Sequence, residues 1–409
     1  ENSEFKRFGR LGVIHIFLCF CNLTYFHVFI LKKSIYIKSY TMRIFGCNTK
    51  FFSIIMYTRN QIKKAGKVFK SKELPSKEEL DEAINSLTYW RSIHGEILEE
   101  FEDKILQIAL EVDKNAIIAK RLKRTPSIVK KLRRLNHIQL NSMQDIAGLR
   151  IIVDSMFKVK KLVKILKSNK FSYEHKLEDD YITTPKSSGY RSFHLIFKNN
   201  DTKNKELDGL LIEVQVRTLV QHAWATAVEI MGTYLNTQLK FNEGKQKWLN
   251  YFSLNSSAFS YLENTNQVLQ YSKMDEFETY SQTIYEFNYN LISDKLKAFS
   301  HISNVICENE ELVGKYNLIV LNVKKRKVEI KVFESKEIQQ ANVEFTELER
   351  KHINDDNIQV ALVSTKNIQE LRNAYPNYFL DTKMFMNKMS IIKRRLNKMK
   401  KLRITNVLP

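Results

Sequence analysis

Four groups of residues in this chain could do chemistry. The first is a run of cations beside a hydroxyl: Arg121, Lys123, Arg124, Ser127, Lys130, Lys131, Arg133 and Arg134. Such groups can grip a polyphosphate; a solvated helix face has the same composition. The spacing predicts a basic helix over 115–135, punctuated at Pro126, with Arg121, Arg124 and Lys131 on one face and Lys123, Ser127 and Lys130 on its neighbour. The second group is Asp145, Gly148 and Arg150 in MQDIAGLR, an acid before a glycine turn and a strand carrying arginine. That order could set a carboxylate beside a metal, or simply cap the turn. The third is the Pro- and Gly-shaped loop DYITTPKSSGYRSFH, in which Lys186, Arg191 and His194 surround Tyr190. The tyrosine could stack on a base while the cations take its phosphates; an ordinary polar loop is the alternative. The fourth is EVQVRT, where strand alternation puts Glu213, Gln215 and Arg217 on one face, as site groups or as a buried ion pair, with His222 and Trp224 following on a helix.

These groups need elements to position them. Apolar residues from Leu80 to Ile108 recur at three and four, which predicts a long amphipathic helix over 77–113, broken near Gly95 and entered through Pro75 and an N-cap at Ser76. A basic helix over 57–71 precedes it. Strand-like runs follow at Leu149–Val153, Tyr181–Thr183, Phe193–Phe197 and Leu210–Val216, with helices over 157–168 and 218–236. That mixture predicts one α/β or α+β domain. Residues 246–310 read as helical. Strands at 316–323 and 327–333, a helix over 335–353 and a strand at 358–364 make a β-β-α-β unit expected to stand as a separate module. A last helix, 383–403, carries nine Lys or Arg and no acid.

The chain has 409 residues, 66 basic against 45 acidic, for a net charge of +21. With 43% hydrophobic residues and only 11 Gly and 5 Pro, it is neither disordered nor collagenous. Its positive field attracts phosphates without choosing among nucleotides, nucleic acid and lipid head groups. Three of the four cysteines, Cys19, Cys21 and Cys47, lie near the start, leaving Cys307 alone. That excludes a disulfide framework or a cysteine zinc site from the main body and fits a reducing cytoplasm. Residues 12–31 are apolar enough to span a bilayer, but His15, Asn22, Thr24 and His27 interrupt them. Residues 1–55 are expected to be translated upstream sequence before a start at Met56 or Met42, with a membrane anchor or a packed extension as alternatives. A membrane partner is not expected.

The motifs R-x-K-x-x-x-S-I, D-I-A-G-L-R, D-Y-I-x-x-P-K-x-x-G-Y-R-S-x-H and E-V-Q-V-R-T with HAWA, in this order, resemble the synthetase domain of the RelA/SpoT family of alarmone synthetases over about residues 85–240. No His-Asp dipeptide occurs, so the family's hydrolase domain is missing. The resemblance implies a nucleotidyltransferase-like mixed sheet flanked by helices, and four parts: a doubtful extension over 1–55, a pyrophosphokinase domain over 56–245, a helical connector over 246–310 and a C-terminal module over 311–409. It also implies Mg²⁺-dependent transfer of the β,γ-pyrophosphate of ATP to a ribose 3′-hydroxyl. By motif position, Arg121 and Arg150 would sandwich the adenine, and Lys123, Ser127 and Lys131 would hold the phosphates. Asp145 would bind metal, and Glu213 would bind metal or take the hydroxyl proton. Tyr190 would stack on the acceptor base, with Lys186, Arg191, His194, Gln215 and Arg217 around it. The implied acceptor is GDP or GTP, giving (p)ppGpp. The alternative is the tRNA 3′ CCA end, as in toxic members fused to a regulatory domain that resembles a cysteine-less zinc finger and senses a phage protein. A homo-oligomer is common in the family. Tyr280, Tyr285 and Tyr289 are candidates for occupying the adenine position, or for packing a helix core.

Overall fold

The computed structural model describes residues 29–31, 34–36 and 56–405, apart from residues 72, 169–172, 201–203, 236, 238, 240–241, 301–303, 308–315, 353–354, 356, 365–367 and 380. The chain divides into two compact units, residues 1–90 and 91–409. In the first, β1 (Phe29–Leu31) pairs antiparallel with β2 (Ser34–Tyr36). The rest of the 1–55 segment lies outside the described residues. Helix α1 (Arg59–Lys70) starts at Thr58, whose hydroxyl and backbone exchange hydrogen bonds with Gln61. Helix α2 (Lys77–Val112) is entered through Ser76, which makes the same reciprocal pairing with Glu79. It runs unbroken through Gly95, and beyond residue 90 it belongs to the second unit.

The second unit is built on one nine-stranded sheet, in the order β5-β6-β7-β4-β3-β11-β9-β10-β8. The expected α/β architecture therefore holds. The basic stretch 115–135 is a correction. It is a strand, β3 (Ile117–Leu122), followed by a shorter helix, α3 (Thr125–Arg134). The β-branched Ile117 and Ile118 favour an extended chain that pairs antiparallel with β4 (Ala147–Val153), and Pro126 is tolerated only at a helix start. Arg121 is thus a strand residue, and the helix faces expected to include it do not exist.

After α4 (Met156–Ser168), β5 (Tyr173–Asp180) forms the sheet edge as a charged strand that hydrophobic patterning does not reveal. Tyr181–Thr183, expected as a strand, is a turn, because the Asp180 carboxylate accepts from the amides of Ile182 and Thr183. Strands β6 (Phe193–Asn199) and β7 (Leu211–Thr218) follow, β7 lying parallel to β4. Helix α5 (Leu219–Tyr234) then begins from a Thr218–Gln221 capping box. The 246–310 stretch gives α6 (Gln246–Glu263), α7 (Glu276–Tyr289) and α8 (Ile292–Ser300), but ends in β8 (Asn304–Cys307), a parallel edge strand beside β10.

The C-terminal β-β-α-β order is as read: β9 (Tyr316–Asn322), β10 (Lys327–Phe333), α9 (Ile338–Lys351) and β11 (Ile358–Ser364). Its sheet is continuous with the rest, because Val363 and Ser364 of β11 pair with Arg121 and Lys120 of β3. Helices α10 (Ile368–Ala374) and α11 (Lys383–Thr405) complete the chain. One sheet face packs with α5, α6, α8 and α11 in a core that includes Trp224, Tyr251, Phe259, Ile319, Val363 and Phe385. On the other face, Tyr316, Leu318 and Phe333 pack with Ala341 and Phe345 of α9, and Phe101 of α2 meets Phe197 of β6 at 5.2 Å. Among the described residues, no helix is long and apolar enough to cross a membrane.

Candidate active site

Strand register builds the site. Arg121 pairs with Gly148, Gly148 with Glu213, Arg150 with Gln215, and Gln215 with His194. Partners in register share a face, so Arg121, Arg150, Glu213, Gln215, Arg217 and His194 all stand on one side of the sheet. Asp145 lies just before β4, where it receives Lys123 at 2.8 Å and Lys131 of α3 at 2.8 Å. Burial alone would raise the Asp145 pKa; the two ammonium groups hold it well below the ordinary carboxylate range. Burial also lowers the Lys123 pKa, against the pull of Asp145. Ser127 sits two residues into α3, on the same helix as Lys131.

Five side chains close a ring. Glu213 meets His194 Nδ1 at 3.0 Å, and His194 Nε2 meets the Tyr190 hydroxyl at 2.9 Å. Arg217 donates to that hydroxyl at 3.1 Å and to Gln215 at 2.6 Å, and Gln215 donates back to Glu213 at 2.7 Å. Burial would lower the His194 pKa, but Tyr190 and Glu213 push it up to about 9. Burial would raise the Tyr190 pKa, but Arg217 and His194 bring it down to about 7. Burial opposes ionisation of Glu213 too, yet His194 lowers its pKa below the usual carboxylate value. The Asp145 charge acts on Glu213 as well, opposing that lowering.

The loop that carries Tyr190 is pinned by Gly189. Its φ of +91° suits glycine, and an added Cβ would come within 2.8 Å of Ser256 and 2.9 Å of Trp224. Trp224, from the HAWA segment, donates to Phe252 O at 2.9 Å and fixes α6 beneath the loop. Lys186 lies 4.0 Å from the Tyr181 ring and 5.6 Å from that of Tyr190. Arg191 does not join this group, which corrects the sequence assignment. Strand alternation turns it away from Tyr190, and it is buried against α6, donating to Ser256 Oγ at 2.8 Å and Asn266 O at 2.5 Å.

Burial, with Arg217 and Arg121 nearby, brings the Arg150 pKa down to about 10. The Nε–H groups of Arg150 and Arg217 are buried without an acceptor, which is costly unless an anion or a base oxygen meets them. Sequence reading missed four groups here. Glu229 of α5 acts on Arg121, Arg150 and His222, and Tyr181 meets His194 edge-on at 5.1 Å. Tyr375 and Tyr378 act electrostatically on Arg121. Tyr375 also donates to Lys120 O at 2.7 Å, while Arg150 reaches Ala374 O at 3.5 Å and His222 meets Asn373 O at 3.3 Å. The spacing of Glu229 seven residues after His222 on one helix was the available signal for it; Tyr375 and Tyr378, more than two hundred residues after Arg121 in sequence, gave none. Of the tyrosines singled out from sequence, Tyr280 is core, and Tyr285 and Tyr289 are exposed and stacked on each other at 5.8 Å.

Residues 120–238 match the family model described as "Region found in RelA / SpoT proteins". Two relatives from Bacillus subtilis (strain 168) are the GTP pyrophosphokinases YwaC, 36% identical over 111 residues (26% of this chain, 52% of that protein), and YjbM, 36% identical over 109 residues (26% and 51%). The chain thus spans about half the length of the curated relatives it matches. Among solved structures, it is similar to the small alarmone synthetase 1 from Bacillus subtilis bound to its product pppGpp, with a TM-score of 0.36, 28% identity, and coverage of 42% of this chain and 89% of that one. The described motifs all fall inside the matched stretch, so over residues 120–238 the chain is similar to RelA/SpoT proteins.

Proposed function

We propose that this chain is an ATP-dependent pyrophosphokinase with a GDP or GTP acceptor. The observation that carries the reading is Asp145, just before β4, set near Glu213 of the adjoining β7, with Lys123, Lys131, Arg121, Arg150 and Arg217 around them. In the reaction, the acceptor 3′-oxygen attacks the β-phosphorus of ATP, the bond from that phosphorus to the α,β-bridging oxygen breaks, and AMP leaves. The 3′-hydroxyl loses its proton, and Glu213, held ionised by His194 and Gln215, would take it. Transfer of this kind depends on positioning and charge neutralisation, which the cations around Asp145 and Arg150 supply. Hard carboxylate oxygens joined by substrate phosphates suit Mg²⁺. Asp145 and Glu213 would hold it once Lys123 and Lys131 turn to the phosphates, and it would neutralise phosphate charge there. Tyr190 and Lys186 would receive the acceptor base and its phosphates.

A second reading is favoured by one feature. The 373–378 segment lies against Arg121 and Arg150, the pair assigned to adenine. A synthetase restrained by its own C-terminal part fits the toxin arrangement, in which the tRNA 3′ CCA end is the acceptor and a phage protein releases the restraint. The test is label transfer from γ-³²P-ATP with Mg²⁺, offering GDP, GTP and deacylated tRNA separately. Label on GDP or GTP supports alarmone synthesis; label on tRNA alone supports the second reading. Label on no acceptor, with the 373–378 contact removed, refutes both.

A further inference from the structure

The first turn of α3 lacks a cap of its own. Arg124, at the N-cap position, makes no side-chain hydrogen bond to it, and Pro126 has no N–H to offer. The missing acceptor comes from 224 residues downstream. Glu349, near the end of α9, accepts the Thr125 amide at 3.1 Å through one carboxylate oxygen and the Thr125 hydroxyl at 2.9 Å through the other. Arg91 of α2 donates to that second oxygen at 2.7 Å and to the Thr125 hydroxyl at 3.0 Å. Side-chain exposure is 5% for Arg91 and 6% for Glu349, so water does not compete for these bonds. The guanidinium also lies 4.6 Å from the ring of Phe345, one turn back on α9.

This cluster sits at the root of the helix that carries Ser127 and Lys131. With Thr125 satisfied by Glu349 and Pro126 lacking a donor, Ser127 is the one residue of the first turn whose amide remains for an incoming anion, among the described residues. Helix N-termini receive phosphate through such amides. We infer that Glu349 is a positioning residue for the triphosphate of ATP, so that α9 of the C-terminal β-β-α-β unit completes the nucleotide site by fixing the start of α3. The inference rests on the pyrophosphokinase reading for the identity of the ligand. The carboxylate does not itself contact the nucleotide. Its charge is met by Arg91, so it orders the turn without adding an uncompensated anion beside the phosphates.

The test compares the full chain with Glu349→Gln and Glu349→Ala by two methods. The first is amide hydrogen exchange across residues 120–135. The second is ATP titration, read as a dissociation constant and, where transfer occurs, as separate KM and kcat values. Loss of a cap predicts roughly tenfold faster exchange in the first turn of α3 for the alanine variant, and less for glutamine, which keeps an acceptor oxygen. Strands β9 and β10 should keep their protection. ATP binding should weaken by about five- to tenfold, with kcat changing less than about twofold. Unchanged exchange and ATP affinity would overturn the inference. So would tighter ATP binding, which would make the carboxylate a competitor of the phosphates, or loss of protection throughout the sheet, which would make it a support of the whole fold. Absence of transfer in every form, wild type included, would count against the pyrophosphokinase reading alone; exchange and ATP titration would still decide the role of Glu349.

Discussion

Replacing Tyr378 with alanine should open the adenine position. Tyr378 is 1% exposed, packed in the core beside Tyr375 at a ring separation of 6.1 Å and close to Arg121. Removing a buried aromatic ring costs about 3–5 kcal/mol in the state that buries it. The cost falls on the docked segment, because an undocked segment leaves the ring in water. The docked-to-open ratio should therefore drop by roughly 10²- to 4 × 10³-fold. The gain in ATP affinity is limited by how far the docked state prevails in the wild type. Equilibrium titration of the full chain with a fluorescent ATP analogue measures it directly. Tyr378→Ala should bind more tightly, and Tyr378→Phe, which keeps the ring, should bind like the wild type. Equal affinity in Tyr378→Ala and wild type, with circular dichroism unchanged, would refute the reasoning: the segment would then be packing beside the adenine position without competing for it.

Three further outcomes follow from the site. Glu213→Gln should lose at least about 10²-fold in label transfer at saturating ATP while ATP binding stays close to wild type, if the carboxylate takes the hydroxyl proton. His194 has its pKa raised from 6.5 to about 9, and the stability it gains from ionised Glu213 is complete below pH 6.5 and disappears as pH rises through 9. Urea unfolding of His194→Gln against wild type should show the widest stability gap near pH 6 and a closing gap by pH 10. Arg191→Met should destabilise the chain by about 2–4 kcal/mol, measured the same way at neutral pH, because Ser256 and the Asn266 carbonyl lose a charged donor in a buried place.

Much of the site was legible because its motifs are local. Glu213, Gln215 and Arg217 share a face through strand alternation alone, and Ser76, after Pro75, reads as an N-cap ahead of acidic residues in the first helical turn. The errors arose where local signals conflict with tertiary demand. Lys120 and Arg121 look helical within a basic run, yet pairing with β4 makes them extended, and Lys120 then forms buried ion pairs with Glu99, at 2.7 Å, and Glu102. Arg191 is adjacent to Tyr190 in sequence, but one residue of alternation sends it to the opposite side. The β5 edge strand is charged along most of its length and carries no apolar rhythm. Contacts of Glu349 with Thr125 and of Tyr375 with Lys120 span more than two hundred residues, and no spacing rule reaches that far.

The seam between β3 and β11 has a consequence for how such a chain could be divided. Among the described residues it holds two residue pairs, against six between β3 and β4 and seven between β11 and β9. Cutting the C-terminal unit away would nonetheless leave β3 as a bare border, with the amides and carbonyls around Lys120 and Arg121 open to any extended segment that passes. Sheet borders of that kind recruit other chains and aggregate. A liberated N-terminal part would be released from its tyrosines and would become sticky at the same stroke. Covalent fusion, rather than two separately made polypeptides, keeps that border covered from the moment of synthesis.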